Sequence, residues 1–461
     1  MPLRVSEGLG AAPGYVMAFD VVSGAVRWVF RTLPLPGDIG FETWENAKYF
    51  ENKGIGGANN WAGMAVDVEN NLLFVPTGSA APDFYGGSRK GKNLFANSLL
   101  ALEASSGKLI WYYQFTHHDI WDRDLPAPPN LMTLDLEGKK HKAVVQITKQ
   151  GYVFAFDRFT GTPLFPIEER PVPRSSLEGE EAWPTQPFPV KPKPFARQST
   201  DITEADISPY AENAKELKAS LQQLDKRIYA PPSLDPVLLL PGYDGGAEWG
   251  GAGADPEHGI LYVNSNEMPR LLQMGKDSVS NSDGSKGMQL YSQYCAVCHQ
   301  QNRKGLEASG FPSLLGLAER LPKTETLQII KNGKGMMVGF PQISDADLDS
   351  LLAFLYGEGE DKKEVTTEEL ETGLPGLPYR HLGYKKFLDN KGFPAIAPPW
   401  GSLHAIDMNT GEYLWSKTLG TTPELEGIAK EPTGCENYGG PVITKNGLLF
   451  IAATKDGYFR A

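Results

Sequence analysis

Short apolar runs recur along the chain, each leading into the same kind of polar turn. Tyr15-Val16-Met17-Ala18-Phe19 leads into Asp20 and then Ser23-Gly24, and Leu99-Leu100-Ala101-Leu102 into Glu103 and Ser106-Gly107. Val153-Phe154-Ala155-Phe156 leads into Asp157 and Thr160-Gly161, and Leu403-His404-Ala405-Ile406 into Asp407 and Thr410-Gly411. In three of the four units a second run follows and ends in Trp28, Trp111 or Trp415. The acidic side chain can accept bonds from turn amides, and Gly tolerates the positive φ that such turns need. The pattern predicts strand–turn–strand units. Further strands are expected at Leu72–Val75, Ala143–Ile147, Ile260–Val263 and Leu448–Ile451. Four-stranded sheets repeated about an axis make a β-propeller. The acidic turn residues fall at 20, 103, 157 and 407, so long insertions must hang from a regular frame. The final Gly457-Tyr458-Phe459-Arg460-Ala461 reads as the start of another unit, which predicts a frame cut at both ends.

Two segments break the pattern. The first runs from about 163 to 245, and nine prolines between Pro163 and Pro194 exclude regular helix or central strand there. An extended wrapping loop is expected, then an amphipathic helix near 211–227 with Leu217, Leu221 and Leu224 on one face. The second, about 282–360, changes to helical periodicity. Thr324 is placed to cap a helix that Gly333 ends. Ser344 is placed to cap another, whose Leu348, Leu351, Leu352 and Leu355 share a face and which Gly357 ends. The expected organisation is a propeller part over 1–281, an all-α domain over 282–360 and a second propeller part over 361–461.

Composition changes this picture little. The 461 residues carry 44 Lys+Arg against 56 Asp+Glu, a net charge of −12, which argues against a general nucleic-acid binder. No apolar run is long enough to span a membrane. Neither does the N-terminus show a signal peptide. Three cysteines cannot build a disulfide framework.

Two of those cysteines carry chemistry. Cys295-Ala296-Val297-Cys298-His299 is a C-x-x-C-H motif. Thiols one helical turn apart can add to the two vinyl groups of one haem, with His299 beneath the iron. Met337 is the expected second axial ligand, with Met336 as the alternative; a His/Met pair suits electron transfer. A zinc half-site would need further ligands, and the remaining Cys435 is far away in sequence. A thioredoxin-like pair would need a βαβ context. The segment resembles a class I cytochrome c through the helix before the motif, the Met loop and the Ser344-Asp345 start of the last helix.

Two other segments stand out. Thr116-His117-His118-Asp119-Ile120-Trp121-Asp122-Arg123-Asp124 crowds three Asp and two His into one loop. Gly56-Gly57-Ala58-Asn59-Asn60-Trp61-Ala62-Gly63, followed by Pro76-Thr77-Gly78-Ser79, sets a Trp among glycines, where backbone can approach a flat ligand. With the repeated turns, Glu248-Trp249-Gly250-Gly251 and Ala397–Gly401, these resemble the pyrroloquinoline-quinone (PQQ) dehydrogenases, an eight-bladed propeller family. The match is closest to the glucose-dehydrogenase branch. The resemblance implies Asp122 as catalytic base, Lys149 as the cation that hydrogen-bonds the quinone and Trp61 as the floor under it. It also implies a Ca²⁺ or Mg²⁺ site, with Glu7 and Asp122 as candidate ligands. Ser79 stands where alcohol-oxidising members have an Asn ligand. His117 and His118 are read as supporting or packing residues, Cys435 as a packing residue, and Trp249 and Trp400 as packing residues, with a place near the cofactor cavity as the alternative.

The expected fold is therefore mainly β: an incomplete eight-bladed-type propeller with an inserted all-α cytochrome c domain. The expected function is oxidation of an aldose sugar, with electrons passing from PQQ to haem c and on to an external cytochrome, copper protein or quinone. An alcohol or polyol dehydrogenase is the nearest alternative, and a non-enzymatic relay scaffold a more distant one. Covalent haem attachment implies the periplasm.

Overall fold

The computed structural model describes residues 8, 11–45, 55–276, 286–299, 303–305, 312–334, 337–340, 343–357 and 377–461. Glu7 and Met336 lie outside the described residues. The chain divides into two compact units, Met1–Asp277 with Leu374–Ala461, and Ser278–Gly373.

The first unit is mainly β. One four-stranded antiparallel sheet holds Ala65–Asp67, Leu72–Pro76, Ser98–Glu103 and Leu109–Gln114 in chain order. A second holds Gly253–Asp255, Ile260–Asn266, Gly401–Asp407 and Glu412–Thr418. Ile260 pairs with Asp407 and Asn266 with Gly401, so the helical segment interrupts this sheet between its second and third strands. That explains the long gap between the turns at 157 and 407. A three-stranded sheet of Asn130–Leu136, Lys139–Ile147 and Val153–Asp157 stands between them in sequence.

The repeated turns form as their residues dictate. Asp20 Oδ1 accepts the Ser23 amide at 2.9 Å, and Asp157 Oδ1 accepts the Thr160 amide at 3.0 Å. The tryptophans do not end the second strands but lie inside them, Trp28 in Val26–Arg31 and Trp111 in Leu109–Gln114, and they reach the turn of the following repeat. Trp28 Nε1 donates to Ala104 O, and Trp111 Nε1 to Arg158 O, each at 3.0 Å. Their rings lie on the turn glycines: a Cβ on Gly107 would come within 2.4 Å of Trp28, and one on Gly161 within 2.6 Å of Trp111. Gly161 also has φ +70°. Gly161→Ala is therefore expected to lower stability by roughly 2 kcal/mol, through ring overlap and a left-handed backbone. The check is a lowered urea midpoint.

Two expectations need correction here. The proline-rich insertion is more than an extended loop, because Ile167–Pro171 pairs with Thr185–Pro189 as a two-stranded ribbon. Prolines fit an isolated ribbon, where few ladder amides are required. At the chain end Arg460 and Ile451 exchange backbone bonds at 2.9 Å around the turn at Asp456, the antiparallel pairing that Gly401–Asp407 makes with Ile260–Asn266. The expected strand at 448–451 is only Leu449–Phe450. The helix in the insertion runs Ala214–Gln223 and buries Leu217 and Leu221 against Ile202, Leu238, Ile396 and Trp400.

The second unit is helical. Its described helices are Lys286–Tyr294, Ala296–His299, Leu317–Arg320, Lys323–Asn332 and Asp345–Tyr356. Ser344 Oγ accepts the Asp347 amide at 3.2 Å, and Gly357 ends that helix in the left-handed region. Pro322, not Thr324, precedes the helix that Gly333 ends. Proline's fixed φ sets the entry there, so no side-chain cap is used. Leu290, Tyr291, Cys295, Leu317, Ile330, Leu348, Leu351 and Leu355 share one apolar core. Among the described residues no helix is long and apolar enough to cross a membrane.

Candidate active site

Three stretches far apart in sequence meet at one lysine. Lys149 sits in the turn after strand Lys139–Ile147, which closes with Gly151 N–H donating to Thr148 O at 2.9 Å. Asp122 and Asp124 lie in the loop after strand Leu109–Gln114. Trp61 is in the loop before strand Ala65–Asp67, held by Asn60 Nδ2 donating to Gly63 O at 2.8 Å and Pro76 O at 2.7 Å. Lys149 Nζ is 2.9 Å from Asp122 Oδ1 and 2.6 Å from Asp124 Oδ1. The Trp61 indole N–H donates to Asp124 Oδ2. Asp122, Asp124 and Lys149 are buried, whereas Trp61 is 42% exposed with its polar edge committed. Burial disfavours the charge on Lys149. Asp122 and Asp124 outweigh burial and hold the ammonium well above the usual lysine range.

The turn that presents Asp122 is fixed from within. Asp119 Oδ1 accepts the Trp121 amide at 2.9 Å, and its Oδ2 accepts the Arg123 amide at 2.7 Å, Ser79 Oγ at 2.6 Å and Asn97 Nδ2 at 2.8 Å. The guanidinium of Arg123 donates to Gly242 O at 2.9 Å and Pro241 O at 2.6 Å. Asp122 itself has φ +58°, an unfavourable backbone for a residue with a Cβ.

Sequence reasoning missed two members. Asp124 was visible only as one of three clustered carboxylates, and the structure makes it the link between Lys149 and Trp61. Glu248 was visible only as part of a glycine-flanked stretch. That stretch lies against the lysine: the Gly246 amide donates to Lys149 O at 2.7 Å, and a Cβ on Gly245 would come within 2.6 Å of Lys149 Cγ. Glu248 is buried and accepts Asn266 Nδ2 at 3.0 Å. Burial chiefly raises its pKa, to about 9, so it is a neutral acid at pH 7. Trp249 beside it is 59% exposed and is not a packing residue, whereas Trp400 is buried.

Glu248 gives a pH prediction with a definite sign. Its folded pKa is above its unfolded one, so the native state binds the extra proton between about pH 4.5 and 9. Its contribution is fully present below that window and is lost as pH rises through it. The slope is at most about 1.4 kcal/mol per pH unit. Glu248→Gln should remove this term, so that its stability gain over wild type grows from pH 5 to pH 9 in parallel urea titrations.

The fit to a divalent cation is poor. Ser79 is spent on Asp119, and Asp122 faces Lys149. Among the described residues no three His, Cys, Asp or Glu side chains converge as a metal site. In the helical unit, His299 is buried and its Nδ1 lies 2.8 Å from Pro312 O, which orients the ring. Met337, partly buried, packs against the apolar core that contains Cys295. Cys435 is buried in the first unit and outside any disulfide.

The sequence over residues 4–319 and 355–461 matches the model of the PQQ glucose/ethanol/alcohol dehydrogenase β-propeller domain. The chain belongs to this family. Among relatives of the PQQ dehydrogenase propeller, quinate/shikimate dehydrogenase (quinone) of Acinetobacter baylyi is 28% identical over 99% of this chain and 48% of its own length. Quinoprotein glucose dehydrogenase of Escherichia coli is 29% identical over 97% of this chain and 47% of its own. The chain thus spans about half the length of the curated relatives it matches. The solved quinohemoprotein alcohol dehydrogenase of Comamonas testosteroni has the same fold, with a TM-score of 0.51 and 18% identity over 97% of this chain and 46% of its own. Within the PQQ propeller family frame, Trp61, Asp122, Asp124 and Lys149 come from three separate loops and converge on one place.

Proposed function

We propose that this chain is part of a PQQ-dependent dehydrogenase that oxidises an aldose sugar and passes the electrons to a covalent haem c. The observation that carries this is the convergence of Asp122, Asp124 and Trp61 around the buried ammonium of Lys149. Family membership and the glucose and quinate dehydrogenase relatives support the reaction class.

The residues suit a flat, anionic quinone. Trp61 offers a partly exposed ring, fixed at its indole edge by Asp124. Lys149 offers a cation whose proton is held by the two carboxylates beside it, which raise its pKa. It therefore acts as an electrostatic anchor and not as a base. PQQ, when bound, supplies the hydride acceptor. The protein must take the other half of the substrate's loss, the hydroxyl proton, and Asp122 is assigned that role. The alcohol carbon loses a hydride and its oxygen a proton, leaving a carbonyl. Asp124 positions both Lys149 and Trp61. A Ca²⁺ or Mg²⁺ ion enters only through the family resemblance, with Asp122 and Glu7 as its candidate ligands, and no step is assigned to it.

In the helical unit, Cys295 and Cys298 are the assigned haem attachment points and His299 and Met337 the axial ligands. Pro312 orients His299 by accepting from its Nδ1, which leaves Nε2 for iron. A haem, when bound, supplies a one-electron relay. This half of the proposal places the protein in the periplasm, with an external cytochrome, copper protein or quinone as final acceptor. An eight-bladed frame with the cytochrome inserted in one blade is the corresponding architecture. A relay scaffold without catalysis would have no use for the Lys149 cluster.

The test of the haem assignment is a denaturing pyridine spectrum of the protein matured with a cytochrome c assembly system. One covalent haem is expected, absent from Cys295→Ser/Cys298→Ser. A spectrum without covalent haem would remove the relay from the proposal.

A further inference from the structure

Two histidines in the Asp122 loop take no part in the reaction proposed above, yet both are buried and tightly paired. His118 Nδ1 lies 2.8 Å from Gly91 O, an atom that can only accept, so that nitrogen carries a hydrogen. His118 Nε2 lies 2.7 Å from Glu180 Oε1, with the two side chains 0% and 1% exposed. A close contact between a ring nitrogen and a carboxylate oxygen needs one proton between them. The other Glu180 oxygen accepts the Gly86 amide. Burial alone would raise the pKa of Glu180, but His118, Arg89 and the Gly86 amide together hold it below the usual range.

His117 repeats the pattern one residue earlier. Its Nδ1 lies 2.7 Å from Gln114 Oε1 and its Nε2 3.0 Å from Glu169 Oε1. Its backbone is bound on both sides by one amide: the His117 N–H donates to Gln186 Oε1 at 2.8 Å, and Gln186 Nε2 donates to His117 O at 2.7 Å. Glu169, Glu180 and Gln186 all belong to the proline-rich insertion. Glu169 and Gln186 stand on its two paired strands, where Arg170 is opposite Gln186. His118 at φ +46° and Asp122 at φ +58° show why such holding is needed, since the loop is bent against local preference.

We propose that the proline-rich insertion is a clamp on the loop that carries the base, with Glu180, acting through His118, as a positioning residue for Asp122. Its catalytic consequence rests on the assignment of Asp122 above; the clamp itself does not. Glu180→Gln preserves the contacts without charge. The Gln amide can donate to a neutral His118 Nε2, and its oxygen can accept from Gly86. Glu180→Ala removes both bonds.

The experiment uses the full-length, PQQ-loaded protein and two independent readouts. Hydrogen exchange over residues 115–125 reports the clamp, and kcat against KM reports placement of the base. Glu180→Ala should speed exchange of that loop about tenfold or more. It should also lower kcat by roughly 10–100-fold, with sugar KM and PQQ affinity near wild type. Glu180→Gln should stay near wild type in both readouts. Glu181→Ala, which loses only an exposed pair with Lys90, should change neither. If Glu180→Ala does not accumulate folded, Glu169→Ala carries the same test through His117, because Glu169 is half exposed. Unchanged loop exchange in the alanine variants overturns the clamp. So does a Glu180→Gln protein as impaired as Glu180→Ala. A wild-type protein that oxidises nothing, but whose loop exchange responds as stated, leaves the clamp standing and removes the catalytic assignment of Asp122.

Discussion

Replacing Asp122 by Asn is expected to lower kcat about a thousandfold while leaving PQQ bound. Asn has the size of Asp and can still accept at one oxygen from Lys149 Nζ, now 2.9 Å from Asp122 Oδ1. What it lacks is the basicity to take a hydroxyl proton. The loop is held elsewhere, by the four bonds to the Asp119 carboxylate and by Arg123 on the carbonyls of Pro241 and Gly242. Asn also adopts a positive φ more readily than most residues, so the backbone at φ +58° is retained. Quenching of the Trp61-side fluorescence by added PQQ should therefore match wild type. An active Asp122→Asn protein would move the proton-accepting role to another group.

Lys149→Met should have the largest effect on the folded state. Lys149 is buried between two carboxylates, and removing it leaves Asp122 and Asp124 facing each other without a cation. Breaking a buried ion pair from one side costs about 3–5 kcal/mol, most of it the desolvation of the charges left behind. PQQ affinity should fall as well, because the cationic anchor is gone. Adding Asp124→Asn to Lys149→Met should return part of the stability and none of the affinity. Urea midpoints of the single and double variants check the first statement, and PQQ titrations check the second. A Lys149→Met protein of wild-type stability would mean that the two carboxylates are not charged beside it.

What the sequence made legible was local. The D-x-x-[ST]-G turns follow from short-range bonds such as Asp157 Oδ1 to the Thr160 amide, so they could be read directly. The Ser344 start and Gly357 stop of the last helix were readable for the same reason. The tryptophans were visible in the second strands, though not as their ends, and their seat on the next repeat's glycine is a contact between repeats. The site shows the same limit. Asp122, Lys149 and Trp61 stood out through resemblance, whereas the bond from Trp61 to Asp124 joins residues 63 apart and has no local signature. Glu248 is a lone carboxylate in a glycine-rich stretch until the fold buries it on Asn266. The proline run excluded regular structure but could not announce a ribbon, because strand pairing depends on the partner strand. Thr324 failed as a cap because Pro322 had already fixed the helix entry.

The central claim is that substrate electrons pass through PQQ to haem within one protein. Anaerobic absorbance spectroscopy of the full-length, PQQ-loaded, haem-bearing protein tests it most directly. Glucose should reduce the haem in wild type, with dependence on PQQ, and should fail to do so at a comparable rate in Asp122→Asn. Haem that stays oxidised with every sugar and alcohol tried, in protein shown to hold both cofactors, would contradict the account.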